Sequence, residues 1–260
     1  MKKIVSKKKI ILTISITMFF LMWYVLYKTE NHEVIIPSIQ NTFSEVISII
    51  TSDDFFSIVL ATTIRVIIGF VISLFLGFIL GFIAGLSKTF EYLMKPYILV
   101  MRSTPIVAIM LIALIWFKSN NVPILVNFLL CFPIIYESVI AGVRNTDKSI
   151  LEFAKVHKIS KLTTITDIYM PSVFLYVISS VFNTISLSWK TTVSSEIISL
   201  PKYGIGNSIY TSKVYLNTAE VFAWLIIIIL ISFIFDLLIN LLKNNVLKKI
   251  QHKEVDNTCQ

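Results

Sequence analysis

The chain has 260 residues, of which 56% are hydrophobic and only 15% charged, with a mean hydropathy of +0.82. A soluble domain carries about 25% charged residues, and a water-soluble globule of this length has nowhere to put so much apolar surface. These figures exclude a soluble enzyme, a secreted disulfide scaffold and a disordered tail, and they set the class as an integral membrane protein, all-α by the spans that follow. The net charge of +8 does not indicate nucleic acid, because the basic residues sit at the edges of apolar spans, where membrane topology accounts for them.

The first predicted span, 10–27, is an apolar run of eighteen residues behind Lys7-Lys8-Lys9. It is longer than the apolar core of a signal peptide and has no small-residue cleavage site, so it reads as a retained helix. Residues 28–54 are mixed and polar. The second span, 55–86, is about 48 Å long at 1.5 Å per residue and must tilt or protrude from a ~30 Å core. It holds Gly69, Gly77, Gly81 and Gly85, four of the chain's seven glycines. Their spacing of four and eight lays a flat stripe along one face, suited to close helix packing within the chain or to a subunit interface. The third span covers 105–117 or starts a turn earlier, the fourth covers 122–143, the fifth begins after Pro171 and runs to about 194, and the sixth covers 221–242.

Six transmembrane helices put both termini on one side. With the N-terminus cytoplasmic, 17 of the lysines and arginines fall on inner segments and 4 on outer ones (Lys28, Lys118, Lys202 and Lys213), with Arg65 and Lys190 inside spans. The positive-inside rule selects that orientation, with N- and C-termini cytoplasmic. The organisation expected is a basic segment, first helix and external loop over 1–54, a transmembrane core over 55–243 containing a cytoplasmic loop over 144–171, and a basic, polar tail over 244–260. Residues 196–220 lie outside and are broken by Pro201, Gly204 and Gly206.

The loop after the fourth span is longer than the 2–8 residues a plain helix connection needs. Ile150, Leu151 and Ala154 are apolar at helical spacing, and Ile159, Leu162, Ile165 and Ile168 repeat every three residues. This predicts two short helices with a break near Lys158 and with Ser160 capping the second.

No chemistry-bearing cluster appears. Cys131 lies in an apolar span and Cys259 in the tail, so no disulfide framework exists. His32, His157 and His252 are far apart, so no metal site is expected. Gly85-Leu86-Ser87-Lys88-Thr89 lacks the spacing of a Walker phosphate loop. No catalytic residue is expected. Arg65, Glu137, Lys190, Glu196 and Asp236 sit in or at the ends of spans, where ionisable groups mark a pathway or a partner.

Glu152-Phe153-Ala154 followed by Ile168-Tyr169-Met170-Pro171 resembles the EAA loop of bacterial ABC importer permeases. Glu152, Ala154, Ile168 and Pro171 fall on pattern positions without a gap. Phe153 replaces an alanine, Met170 a leucine, and Lys158 stands where the pattern has glycine. Glycine there allows a left-handed turn, which lysine adopts only at a cost of ~1 kcal/mol. Arg65 with Gly69-Phe70, Gly77, Gly81 and Gly85-Leu86-Ser87 is similar to the second helix of the nitrate/sulfonate/taurine branch. Met101-Arg102-Ser103-Thr104-Pro105, with Ile115-Trp116-Phe117, is similar to its next segment, and Ser188-Trp189-Lys190 with Ser195-Glu196 to its fifth helix. The resemblance covers about residues 55 to 243.

What the resemblance implies is a type I ABC importer permease of the bacterial cell membrane. Its partners would be a cytoplasmic ATP-binding subunit dimer, an extracellular or periplasmic substrate-binding (lipo)protein and a second permease copy, a homodimer being the commoner symmetric case, all within membrane lipid. The chain itself would bind no cofactor; ATP-Mg would belong to the ATPase. On this resemblance Glu152, Phe153, Ala154, His157, Lys158, Ile168 and Pro171 couple to the ATPase. Arg65, Trp189, Lys190 and Glu196 are assigned to the translocation pathway from their place in or at the ends of spans, with snorkelling to the headgroups the competing reading for Lys190, and the glycine stripe packs helices. The competing reading is an ATP-independent channel or secondary carrier, which predicts symmetric halves and deep charges in several spans; neither an obvious repeat nor a deep charge chain is visible in the sequence.

Overall fold

The computed structural model describes the backbone of residues 2–30 and 32–258, and the side chains of residues 11–30, 32–237 and 241. The side chains of Lys2, Lys3, Lys7, Lys8, Lys9, Lys243, Lys248, Lys249, His252, Lys253 and Cys259, which entered the charge and cysteine arguments, lie outside the described residues. Among the described residues the structure is entirely helical and loop. The order is α1 (Lys2–Glu30), α2 (Ile39–Ile50), α3 (Phe55–Leu86), α4 (Lys88–Ser103), α5 (Ile106–Trp116), α6 (Val122–Arg144), α7 (Lys148–Val156), the single turn α8 (Lys161–Thr163), a π-helical segment (Thr164–Tyr169), α9 (Met170–Ser199), α10 (Ile205–Val214) and α11 (Thr218–Thr258).

Five helices are long and apolar enough to cross a membrane, and the count reaches six if α4 and α5, bent by 103° against each other, make one crossing. The third span is therefore not 105–117 alone. At 1.5 Å per residue α5 is only about 16 Å long, half the ~30 Å it would have to traverse. The break has a local cause. Pro105 bars helical geometry at the residue before it, and Thr104 is extended (φ −79°, ψ 130°), ending α4. Lys95 and Arg102, read from the sequence as loop charges, belong to this helix.

The chain divides into two compact units, Met1–Ser57 with Ser208–Leu230, and Ile58–Asn207 with Ile231–Gln260. In the first, Trp23 of α1 donates from Nε1 to the Pro37 carbonyl at 3.1 Å and packs its ring 5.5 Å from Phe222. The segment read as a polar external loop contains α2, started by Ser38, whose hydroxyl accepts from the Asn41 amide at 3.1 Å.

In the second unit α3 lies against α6 along the glycine stripe. A Cβ on Gly69 would meet Asn127, on Gly77 Ile135, on Gly81 the Tyr136 carbonyl at 2.7 Å, and on Gly85 Val143. That face of α3 is occupied by a helix of the same chain. α6 is clamped to α9 in turn: a Cβ on Gly142 would come within 2.7 Å of Val173 Cα, and Ser172 Oγ donates to the Gly142 carbonyl at 3.0 Å. Phe70, Ile135, Val139, Val143, Val173 and Val177 form one core between these three helices. Asn127, fully buried, ties them together: its Nδ2 donates to the Val66 carbonyl at 3.0 Å, and its Oδ1 accepts from Ser188 at 2.7 Å.

Candidate functional site

Three features carry the chemistry. The first is the hairpin over 144–171. Asp147 caps α7, its Oδ1 accepting from the Ser149 amide at 2.8 Å. Ala154 is the one buried residue of α7. Ile150, Phe153, Val156 and Leu162 stand exposed. α7 ends in a Schellman turn: the Ile159 amide donates to the Ala154 carbonyl at 2.9 Å and the Lys158 amide to Lys155 at 3.2 Å. That geometry requires a left-handed residue, and Lys158 supplies it at φ 50°. The lysine therefore adopts the glycine-like turn instead of avoiding it. Ser160 caps the next helix, its Oγ accepting from the Thr163 amide at 3.1 Å. His157 stacks on Phe153 with centroids 4.0 Å apart, its Nδ1 3.0 Å from the Phe153 carbonyl oxygen. Glu152 is exposed, and Ile168 half-buried.

The helix after this turn does not stop at Pro171, as the sequence suggested. Residues 161–199 run as one span. Proline has no N–H for its i−4 carbonyl and crowds it; a wide π turn over Thr164–Tyr169 precedes Pro171, which sits in the first turn of α9. The second arm of the hairpin and α9 are thus continuous.

The second feature joins two of the four residues assigned to the pathway. Arg65 Nη1 donates to Glu196 Oε1 at 2.6 Å, with the side chains 9% and 0% exposed. Three neighbours bond the pair further. Thr62 Oγ1 and the Gly206 amide each donate to Glu196 Oε2 at 3.0 Å, and Arg65 Nη2 donates to Asn120 Oδ1 at 3.2 Å. The Ile205 amide donates to Thr62 at 3.0 Å. A Cβ on Gly204 or Gly206 would lie 2.7 Å from Glu196 Oε2 or 2.5 Å from its Cβ, so these glycines let the chain after α9 close over the carboxylate. Arg65 is a neutralised, sealed charge in this structure. Trp189, two turns back along α9, is buried and stacks on Phe235 at 5.2 Å, while Lys190 is exposed.

Of the third feature the sequence marks only Glu137. Arg102 of α4 pairs with Glu137 of α6, and Arg144 of α6 pairs with Glu91 of α4. Lys88 and Lys95 lie beside them in a groove of about 760 Å³. Glu137 had been recognised as an in-span charge, but its partner 35 residues away left no periodic signal. Asp236 accepts from Ser186. Among the described residues no group of three or more His, Cys, Asp or Glu is placed to hold a metal.

The chain resembles known proteins over most of its length. The sequence pattern of the binding-protein-dependent transport system inner membrane components matches residues 73–250. The chain is 26% identical over 208 residues, 80% of its length and 74% of the relative's, to a Bacillus subtilis (strain 168) protein named as aliphatic sulfonates transport permease protein SsuC. It is 28% identical over 211 residues to the Escherichia coli (strain K12) protein of that name, covering 80% of each. A crystal structure of an amino acid ABC transporter matches the fold with a TM-score of 0.62 at 16% identity, over 75% of this chain and 93% of that one.

Proposed function

The chain belongs to the binding-protein-dependent transport system inner membrane components, as an ABC importer permease of the sulfonate/taurine/nitrate branch, and from that premise we infer how it works. It lines the route of a small solute released by an external binding protein, and its hairpin takes up the movement of a separate ATPase on the cytoplasmic face. The charge asymmetry of the loops supports this orientation, with the hairpin inside.

The observation that carries this reading is the hairpin itself. An exposed row of Ile150, Phe153, Val156 and Leu162 on a water-facing loop is costly unless a partner covers it. The fixed turn at Lys158 and the uninterrupted helix from Lys161 into α9 make the hairpin stiff. Force applied to that apolar row reaches α9 directly, and α6 through the Gly142–Val173 contact. Two packed helices displaced as a body are a recognised means of switching access.

The test is co-purification of the chain with a co-expressed ABC-type ATPase from the same genome, comparing the unaltered protein with F153D and V156D. Both positions are exposed, so folding is expected to survive. Loss of the ATPase from both variants, with unchanged thermal stability, is the expected result. Full retention in both, or external accessibility of the hairpin in intact cells, overturns the assignment.

A further inference from the structure

The Arg102–Glu137 pair occupies a place that lipid cannot fill. Glu137 lies seven residues along α6 from Arg144, and Arg102 eleven residues along α4 from Glu91, or about 10 and 16 Å of helix. Arg144–Glu91 marks the hairpin end of both helices, so on the permease reading the second pair lies about 10 Å along the membrane-spanning α6 from its cytoplasmic end. Yet its side chains are 57% and 49% exposed in the single chain. A half-exposed arginine and carboxylate within a span are costly against lipid, so such groups face protein or a water-filled cavity. This contrasts with Arg65–Glu196, which the fold seals.

The groove around the pair has the size of a small-solute site, 760 Å³ against about 300–1,000 Å³ for ligand pockets. It is positively charged. Four cations, Lys88, Lys95, Arg102 and Arg144, line it with two carboxylates, Glu91 and Glu137. The carboxylates are taken by the arginines, and among the described residues neither lysine has a carboxylate within 4 Å. Tyr136 also lines the groove, and its hydroxyl is buried without a hydrogen-bond partner.

We propose that the α4–α6 groove is the water-filled wall of the solute route and that Lys88 and Lys95 make it select small anions. This rests on the permease reading and moves the route away from Arg65. The paired arginines hold the two helices in register across the groove, and the unpaired lysines supply the field that concentrates an anion there.

The experiment uses the permease with its ATPase in lipid nanodiscs, where both membrane faces are open to solution. L99C places a thiol in the groove, and F75C, on an exposed apolar face of α3, is the lipid control. Each is reacted with an anionic methanethiosulfonate (sulfonatoethyl) and a cationic one (trimethylammonioethyl), normalised to a free thiol. The tail Cys259 is replaced by serine throughout, and the buried Cys131 supplies the background in the parent protein. The expected result is that F75C reacts with neither, and that L99C reacts about tenfold faster with the anionic reagent, a preference that K95Q lowers and K88Q/K95Q removes. Lys88 and Lys95 are exposed, and K95Q alone decides the point if the double variant does not assemble. An L99C thiol inert to both reagents means that lipid or a second copy covers the groove, and overturns the proposal, as does reaction without charge preference. ATPase co-purification in the same samples reads the permease assignment separately, so either can fail alone.

Discussion

The guanidinium of Arg65 and the carboxylate of Glu196, 131 residues apart in the chain, meet at 2.6 Å with the carboxylate fully buried and the arginine nearly so. Their surroundings complete the pair instead of leaving a charge for a solute. Removing one partner of a buried pair strands the other and costs about 3–5 kcal/mol, whereas replacing both with apolar residues is often neutral. R65A is therefore expected to lower the detergent melting temperature and the yield of assembled transporter, and R65M/E196L to recover most of both. A stable, assembled R65A that has lost uptake alone would instead restore Arg65 to the pathway.

Gly81 tests the seam between α3 and α6. Its Cβ would stand 2.7 Å from the Tyr136 carbonyl, a backbone atom that cannot swing aside. G81A is expected to destabilise by about 1–3 kcal/mol, the usual range for overpacking. F75A, on the exposed side of the same helix, should change the melting temperature much less. Equal effects of the two would mean that the stripe is not a contact surface.

The turn at Lys158 makes an opposite prediction. A non-glycine residue at φ 50° carries about 1 kcal/mol of strain. K158G should raise thermal stability and keep the ATPase bound, while K158V, β-branched and unable to take the turn readily, should lower both. A K158G variant that loses the ATPase would show that the lysine side chain itself makes the contact.

Asn127 predicts a polar effect in an apolar core. N127A leaves the Ser188 hydroxyl and the Val66 carbonyl without their partner, at about 1–3 kcal/mol for a buried unsatisfied group. The double variant N127A/S188A should lose less than the sum of the two single changes. Strict additivity in a melting-temperature cycle would argue against the shared bond.

The long spans and the hairpin could be read from the chain because each is a local pattern: apolar length for α1, α3, α6, α9 and α11, and a three- to four-residue repeat with a cap for 148–169. The third crossing was misjudged for the opposite reason. Lys95 and Arg102 lower the hydropathy of α4, and what offsets Arg102 is Glu137 on another helix, which no window along the sequence contains. α2 was hidden by its mixed composition between two spans. Arg65 and Glu196 were both visible as in-span charges, but their pairing depends on how α3, α9 and the Gly204–Gly206 stretch come together. The left-handed turn stood between these cases: the position was marked, and only the backbone bonds of Ile159 and Lys158 decide that lysine accepts it.

Continuity through Pro171 has a geometric corollary. Residues 161–199 form one rod of 39 residues, about 58 Å long. Pivoted near Pro171, a swing of about 5° carries its far tip roughly 4 Å, more than a hydrogen bond can stretch. Because Glu196 near that tip grips Arg65 at 2.6 Å, α3 has to travel with α9, so a small rotation at one end becomes a concerted displacement of two walls at the other.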